Sequence, residues 1–174
     1  SLSSSVSGMP VIVGQRYPSP MAAKTRALAA LSNTPHEVLE YASGQDNFGA
    51  HAAEELGIDP RVVMKTLVIH HDRDLAVCCV PVAGHLSLKA AAKALGWKRA
   101  EMTDPSEAQR ATGYVVGGIS PLGTTRRMPT LIDDSVAAEP TIHVSGGQRG
   151  VSIAIAPKDL AELTGAKFAP IATD

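Results

Sequence analysis

Aromatic residues are scarce in this sequence: one Trp, three Tyr and two Phe, or 3% of 174 residues. So few rings cannot build an extended stacking platform for nucleobases. Neither sign of charge dominates. Sixteen Lys+Arg stand against 17 Asp+Glu, a net charge of −1, so attraction to a polyanion has to come from a local patch. There are two cysteines, Cys78 and Cys79, adjacent within the apolar run 75–82. Neighbours are poorly placed for a disulfide, nothing here asks for an oxidising compartment, and the pair reads as two small buried hydrophobes on opposite faces of a strand. No apolar run approaches the ~18–20 residues of a membrane span. Ser1 to Met9 lacks the basic start and apolar core of a secretory leader. A cytoplasmic protein with no membrane partner is the simplest expectation.

The chain has a core to bury: 44% of it is apolar, and its length suits one domain. The expected organisation is a flexible arm over residues 1–20 and a single domain over 21–174. A helix is expected from Ala22 to Leu31, a strand from Glu37 to Tyr41, and a helix from Phe48 to Leu56 stopped by Gly57. Asp59-Pro60 opens a short helical turn. Strands then follow on both sides of the polar connection 70–74. Ser87 caps a helix that ends at Gly96, and Asp104-Pro105-Ser106-Glu107 opens another that Gly113 closes. Strands at 130–132, 141–144 and 151–155, a helix at 158–163 and a last strand near Phe168 complete the pattern. Helices and strands intersperse without a regular βαβ repeat, which predicts an α+β fold with a mixed sheet.

Several chemistries are missing. The six histidines are scattered, no pair has the i, i+4 spacing of a zinc helix, and no cysteine cluster helps them, so no metal site is expected. There is no Gly-x-Ser-x-Gly nucleophile elbow and no phosphate-cradling Gly-x-x-x-x-Gly-Lys-Ser/Thr loop. Lys65 is different. It interrupts the apolar stretch 62–69 and has two readings: a stem that packs while its ammonium reaches water, or a fixed cation at a pocket edge over developing negative charge. Two glycine-rich loops, 117–123 and 145–150, are either turns or places where a ligand approaches the backbone. Lys89, Lys93, Lys98 and Arg99 fall within 11 residues that contain no acid, and Arg126-Arg127 adds a second pair. Such a run is either a solvated face or a salt-sensitive patch for a polyanion.

These features occur in a familiar order. Gly117-Gly-Ile-Ser-Pro-Leu-Gly123 followed by Arg126-Arg-Met-Pro-Thr-Leu-Ile-Asp133 resembles the signature of YbaK-type Cys-tRNA(Pro) deacylases. So do Asn47-Phe48-Gly49, Val63-Met-Lys-Thr-Leu67, Pro81-Val-Ala-Gly84, Thr112-Gly-Tyr114 and Ser145-Gly-Gly-Gln-Arg-Gly150. The matches run collinearly from about Ser32 to the C-terminus. Gly123-Thr-Thr-Arg126 is less basic than the family pattern, and the N-terminal arm lies outside it.

The resemblance implies one mixed α+β domain around a curved, barrel-like sheet, and removal of cysteine mischarged onto proline tRNA, with Cys-tRNA(Cys) as a further candidate substrate. It places the essential lysine at Lys65 and the loop that holds the terminal adenosine at Gly117, Gly118, Ile119, Ser120 and Pro121. Tyr41 and Phe48 fall at aromatic positions near that pocket, Asp133 at a recurrent loop acid, and Ser145, Gly146 and Gly147 in a second loop. Lys89, Lys93, Lys98, Arg99, Arg126 and Arg127 become candidates for the tRNA backbone. The implied partners are aminoacyl-tRNA, through the tRNA(Pro) acceptor end, and prolyl-tRNA synthetase; no cofactor or metal is implied. The chemistry implied is attack of the substrate's own thiol on the aminoacyl ester, which gains from proximity and needs no strong enzyme base. Editing is required because an apolar pocket separates near-isosteres such as proline and cysteine by only ~1–3 kcal/mol. Two other readings stay open: a water-using deacylase for Ala- or Ser-tRNA, and a non-catalytic binder of tRNA ends or nucleotides.

Overall fold

The computed structural model describes residues 25–31, 33–41 and 53–173. The expected arm, Phe48 and the start of its helix lie outside them. In chain order the elements are α1 (Arg26–Ala29), β1 (Glu37–Glu40), a helical turn at 53–56, β2 (Met64–His71), β3 (Asp74–Pro81), β4 (His85–Leu86) and α2 (Leu88–Leu95). There follow β5 (Glu101–Met102), α3 (Pro105–Thr112), β6 (Thr130–Asp133), β7 (Ile142–Ser145), β8 (Val151–Ile155), α4 (Pro157–Thr164), β9 (Lys167–Ala169) and β10 (Ala172–Thr173).

The central sheet has the order β5-β2-β3-β6-β9, antiparallel around β2 and parallel from β3 through β6 to β9. A second sheet, β1-β8-β7, is antiparallel throughout. Among the described residues one parallel bridge, Val63 to His143, joins the two, and β4 pairs with β10 apart from both. The fold is therefore α+β with mixed sheets, as expected, but the described strands do not close into a barrel.

β3 is the centre of the core because its residues are buried on both faces. Leu75, Val77 and Cys79 pack with Ala108, Ala111, Ile142, Ile153 and Leu160; Ala76, Cys78 and Val80 pack with Ala91 and Ala92 of α2. The two-residue period of a strand sends alternate side chains to opposite layers, so the adjacent cysteines serve two different layers. Burial pushes both thiols up to about 12, which keeps them protonated and unreactive.

The helix ends follow local chemistry. The Ser87 hydroxyl accepts from Ala90 N at 3.1 Å and the Asp104 carboxylate from Ser106 N at 3.1 Å, while Gly96 and Gly113 close the helices in the left-handed conformation. Asp59 accepts from Arg61 N, but the segment is a turn and not a helix. The polar connection shortens to Asp72-Arg73, so both strands of that hairpin are longer than expected.

Candidate active site

A cavity of about 400 Å³ lies where β7 diverges from β2 beyond the Val63–His143 bridge. Residues 63–68 all line it. A cavity on one face of a strand would meet every second residue, so six in succession place it along the strand's edge. That edge is closed at one end by β7, where His143 N donates to Val62 O, and at the other by Thr103 N donating to Val68 O. Between them the ladder alternation turns the main-chain N–H and C=O of Thr66 toward the gap, because the intervening odd-numbered residues bond to β3.

The register also gathers side chains on one face. His143 pairs with Val63 and Ala154, Ser145 with Ser152, and Ser152 with Leu39. Paired residues share a face and so do residues two apart, so Lys65, His143, Ser145 and Ser152 stand together. Tyr41, two residues beyond Leu39, follows with its N–H on Gly150 O at 3.0 Å. Ile142 and Val144 point the other way, into the core.

The polar side chains around the cavity divide into engaged and free. Ser145 Oγ accepts from Gly147 N at 3.1 Å, Ser152 Oγ donates to Val144 O at 3.4 Å, and Thr66 Oγ1 lies 3.9 Å from Cys79 Sγ. The Lys65 side chain is half-buried, and its amine has no hydrogen bond or ion pair with any described residue. His143 Nδ1 and Thr103 Oγ1 are buried without a partner among the described residues. Burial lowers the His143 pKa to about 4, so its imidazole is neutral at pH 7, and burial raises that of Tyr41. Neither a carboxylate nor a cysteine lines the cavity among the described residues. Among the described residues the site thus offers one amine, one neutral imidazole and a backbone edge in a wall of apolar and hydroxyl side chains, which suits positioning and charge stabilisation and provides no carboxylate or thiol nucleophile.

Both glycine loops meet beside it. Gly118 packs so closely on the other loop that a Cβ there would sit 2.8 Å from Gln148 Cα and 2.9 Å from Arg149 N. The Arg149 guanidinium donates to Val116 O at 3.0 and 2.8 Å, and the Tyr114 hydroxyl closes the first loop on Leu122 O. Thr25, which caps α1, also donates to Gly146 O at 2.6 Å and supports the second loop.

A family model described as the aminoacyl-tRNA editing domain matches residues 48–163. The chain belongs to that family. It is 35% identical over 154 residues to an Enterococcus faecalis protein named "Putative Cys-tRNA(Pro)/Cys-tRNA(Cys) deacylase EbsC", covering 86% of this chain and 94% of that one. It is also 27% identical to Bacillus subtilis YwhH, over 78% of this chain and 85% of the relative. Among solved structures, one described as "a putative trans-editing enzyme for prolyl tRNA synthetase" superposes with a TM-score of 0.76 at 24% identity, covering 86% of this chain and 96% of that one. This last likeness concerns the fold.

Of the residues that the sequence singled out, Tyr41, Lys65, Gly117, Ile119 and Ser145 border the cavity. Gly118, Ser120, Pro121, Gly146 and Gly147 do not; they build the loops behind it. Ser120 is fully buried, and its Oγ accepts from Leu122 N at 3.2 Å. Asp133 lies elsewhere: Oδ1 accepts from Ile171 N and Ala172 N at 3.0 and 2.8 Å, and Oδ2 from Ser135 N at 3.3 Å. Lys89, Lys93, Lys98, Arg99, Arg126 and Arg127 are exposed and outside the lining. Sequence reasoning passed over His143 and Thr103. The alternation in Ile142-His-Val-Ser145 was the available signal for His143, since it sets His143 on the face of Ser145. For Thr103 there was none.

Proposed function

We propose that this protein acts in trans as an aminoacyl-tRNA deacylase that removes cysteine from Cys-tRNA(Pro). The observation that carries the reading is Lys65: among the described residues its amine is unengaged, on the edge of a cavity lined by the first glycine loop and by no carboxylate or cysteine. The name of the Enterococcus faecalis relative supports the choice of cysteine.

In this reading the terminal adenosine lies against Gly117 and Ile119, and the ester carbonyl lies within reach of Lys65. The substrate's thiol sulfur attacks that carbonyl. The new S–C bond closes a four-membered cyclic thioester, the C–O ester bond breaks, and the thiol proton ends on the ribose oxygen that leaves. Lys65 stabilises the negative charge that passes through the carbonyl oxygen, and the apolar wall strengthens that interaction. The six exposed cations hold the tRNA backbone, prolyl-tRNA synthetase supplies the mischarged tRNA, and the work takes place in the cytoplasm. Among the described residues no helix is long and apolar enough to cross a membrane.

The test is deacylation of Cys-, Ala- and Ser-tRNA(Pro) by the wild type and Lys65→Ala. Loss of cysteine alone, reduced at least ~100-fold in the variant, is the expected result, by the measure of removing one charge-stabilising donor. Equal cleavage of the Ala or Ser ester would replace the thiol-assisted route with hydrolysis. Tight tRNA binding with no cleavage would make the protein a binder.

A further inference from the structure

The cavity holds a group that the reaction as described does not use. His143 sits at the end closed by β7 against β2, while the lining residues Met102 and Val116 are exposed to solvent, at 48% and 37%. A tRNA end must enter from solvent, so the closed end receives the part of the substrate farthest from the nucleotide, the amino-acid side chain. The bridge pairs His143 with Val63, two residues before Lys65. Two residues of strand rise and one inter-strand spacing put the Lys65 and His143 backbones about 8 Å apart on the same face. A long amine and an imidazole that far apart leave room for one small group between them.

We propose that His143 is the residue that reads the aminoacyl side chain, accepting a hydrogen bond from the substrate thiol and turning its sulfur toward the ester carbonyl at Lys65. The proposal rests on the deacylase reading above. Its Nδ1 is buried with no partner among the described residues, an arrangement proteins rarely leave unanswered. Turning the ring over about its Cβ–Cγ bond exchanges Nδ1 with Cδ2 at no cost in volume, so the nitrogen can be presented to the cavity. Burial holds the imidazole neutral, which keeps an acceptor lone pair available beside the lysine. A general base is a different matter. An imidazole with a pKa near 4 is a poor acceptor for the proton of a thiol whose ordinary value is about 8.5, so His143 orients the thiol and does not ionise it.

Amide-linked, non-cleavable cysteinyl- and alanyl-adenosine test the assignment, titrated into the full-length wild type, His143→Phe and His143→Gln. Phe keeps a ring of similar size and removes both nitrogens; Gln keeps an acceptor. The wild type should prefer the cysteinyl compound. That preference should shrink about 3- to 10-fold in the Phe variant, the share of one neutral hydrogen bond, and stay within about 2-fold in the Gln variant. On Cys-tRNA(Pro), kcat/KM should follow the same order. Affinities for both compounds falling in parallel, or a preference unchanged in His143→Phe, would overturn the assignment. The wild type gives a reading independent of variant folding: the cysteinyl compound should move the His143 ring nitrogen resonances more than the alanyl compound, and equal movement would count against the proposal. Failure of the wild type to cleave any aminoacyl-tRNA would instead remove the deacylase reading.

Discussion

Buried polar side chains in this domain divide by whether the protein itself answers them. Asp133, 4% exposed, is answered three times over by backbone N–H groups, two of them from the segment that follows β9. That is a structural clasp: one carboxylate ties the end of β6 to the chain leading into β10. The side chains of Lys65, Thr103 and His143 are unanswered among the described residues, and all three border the same cavity. Asp133→Ala should therefore cost stability and spare chemistry. Hydrogen bonds to a charged group contribute ~1.5–3 kcal/mol, and the orphaned donors add a desolvation penalty, so a loss of about 3 kcal/mol is expected in urea unfolding. The kcat of the molecules that remain folded should stay near the wild-type value. A variant of normal stability with abolished kcat would return Asp133 to the site.

Among elements, the two glycine loops act as one piece. Gly118 leaves no space for a side chain against Gln148 and Arg149, and the Arg149–Val116 hydrogen bonds lie on the same junction. A methyl group at Gly118 meets backbone, which cannot swing aside as a flexible side chain can, so Gly118→Ala should cost about 1–3 kcal/mol through displacement of the loops. Because Gly117 and Ile119 border the cavity, KM for aminoacyl-tRNA should rise severalfold as well. A melting curve and a KM both like wild type would show that the junction yields freely. Much of this scale could be read in advance. Ser87 with Gly96, and Asp104 with Gly113, marked α2 and α3 because capping is local chemistry. The two-residue strands β4, β5 and β10 escaped notice, because each is held by a partner distant in sequence and carries too few residues for a period to show. Lys65 was visible as an interruption in an apolar run. For His143 the alternation of its strand gave the face it shares with Ser145, and only the bridge to Val63 placed it beside Lys65.

For the whole molecule, assembly of the two larger sheets converges on that same histidine. The central sheet and β1-β8-β7 meet through one bridge, and one of its two residues is a partly covered, neutral imidazole. Keeping it neutral couples stability to pH. The native pKa is lowered from 6.5 to about 4, so between those values the unfolded chain takes up a proton that the folded chain refuses. Stability from this group is fully present above about 6.5 and is lost progressively as the pH falls toward 4. Linkage over that window gives a loss of about 2 kcal/mol between pH 7 and pH 5. Other groups titrate in the same range, so the informative quantity is a difference of differences. Urea unfolding of the wild type and His143→Gln at the two pH values should show the wild type losing about 2 kcal/mol more, since glutamine has no proton to refuse. Parallel losses would mean that the imidazole is protonated in the native state at pH 5. It would then stand as a cation beside Lys65 and could no longer accept the substrate's hydrogen bond at that pH, so the activity on Cys-tRNA(Pro) should fall on acidification in step with that protonation.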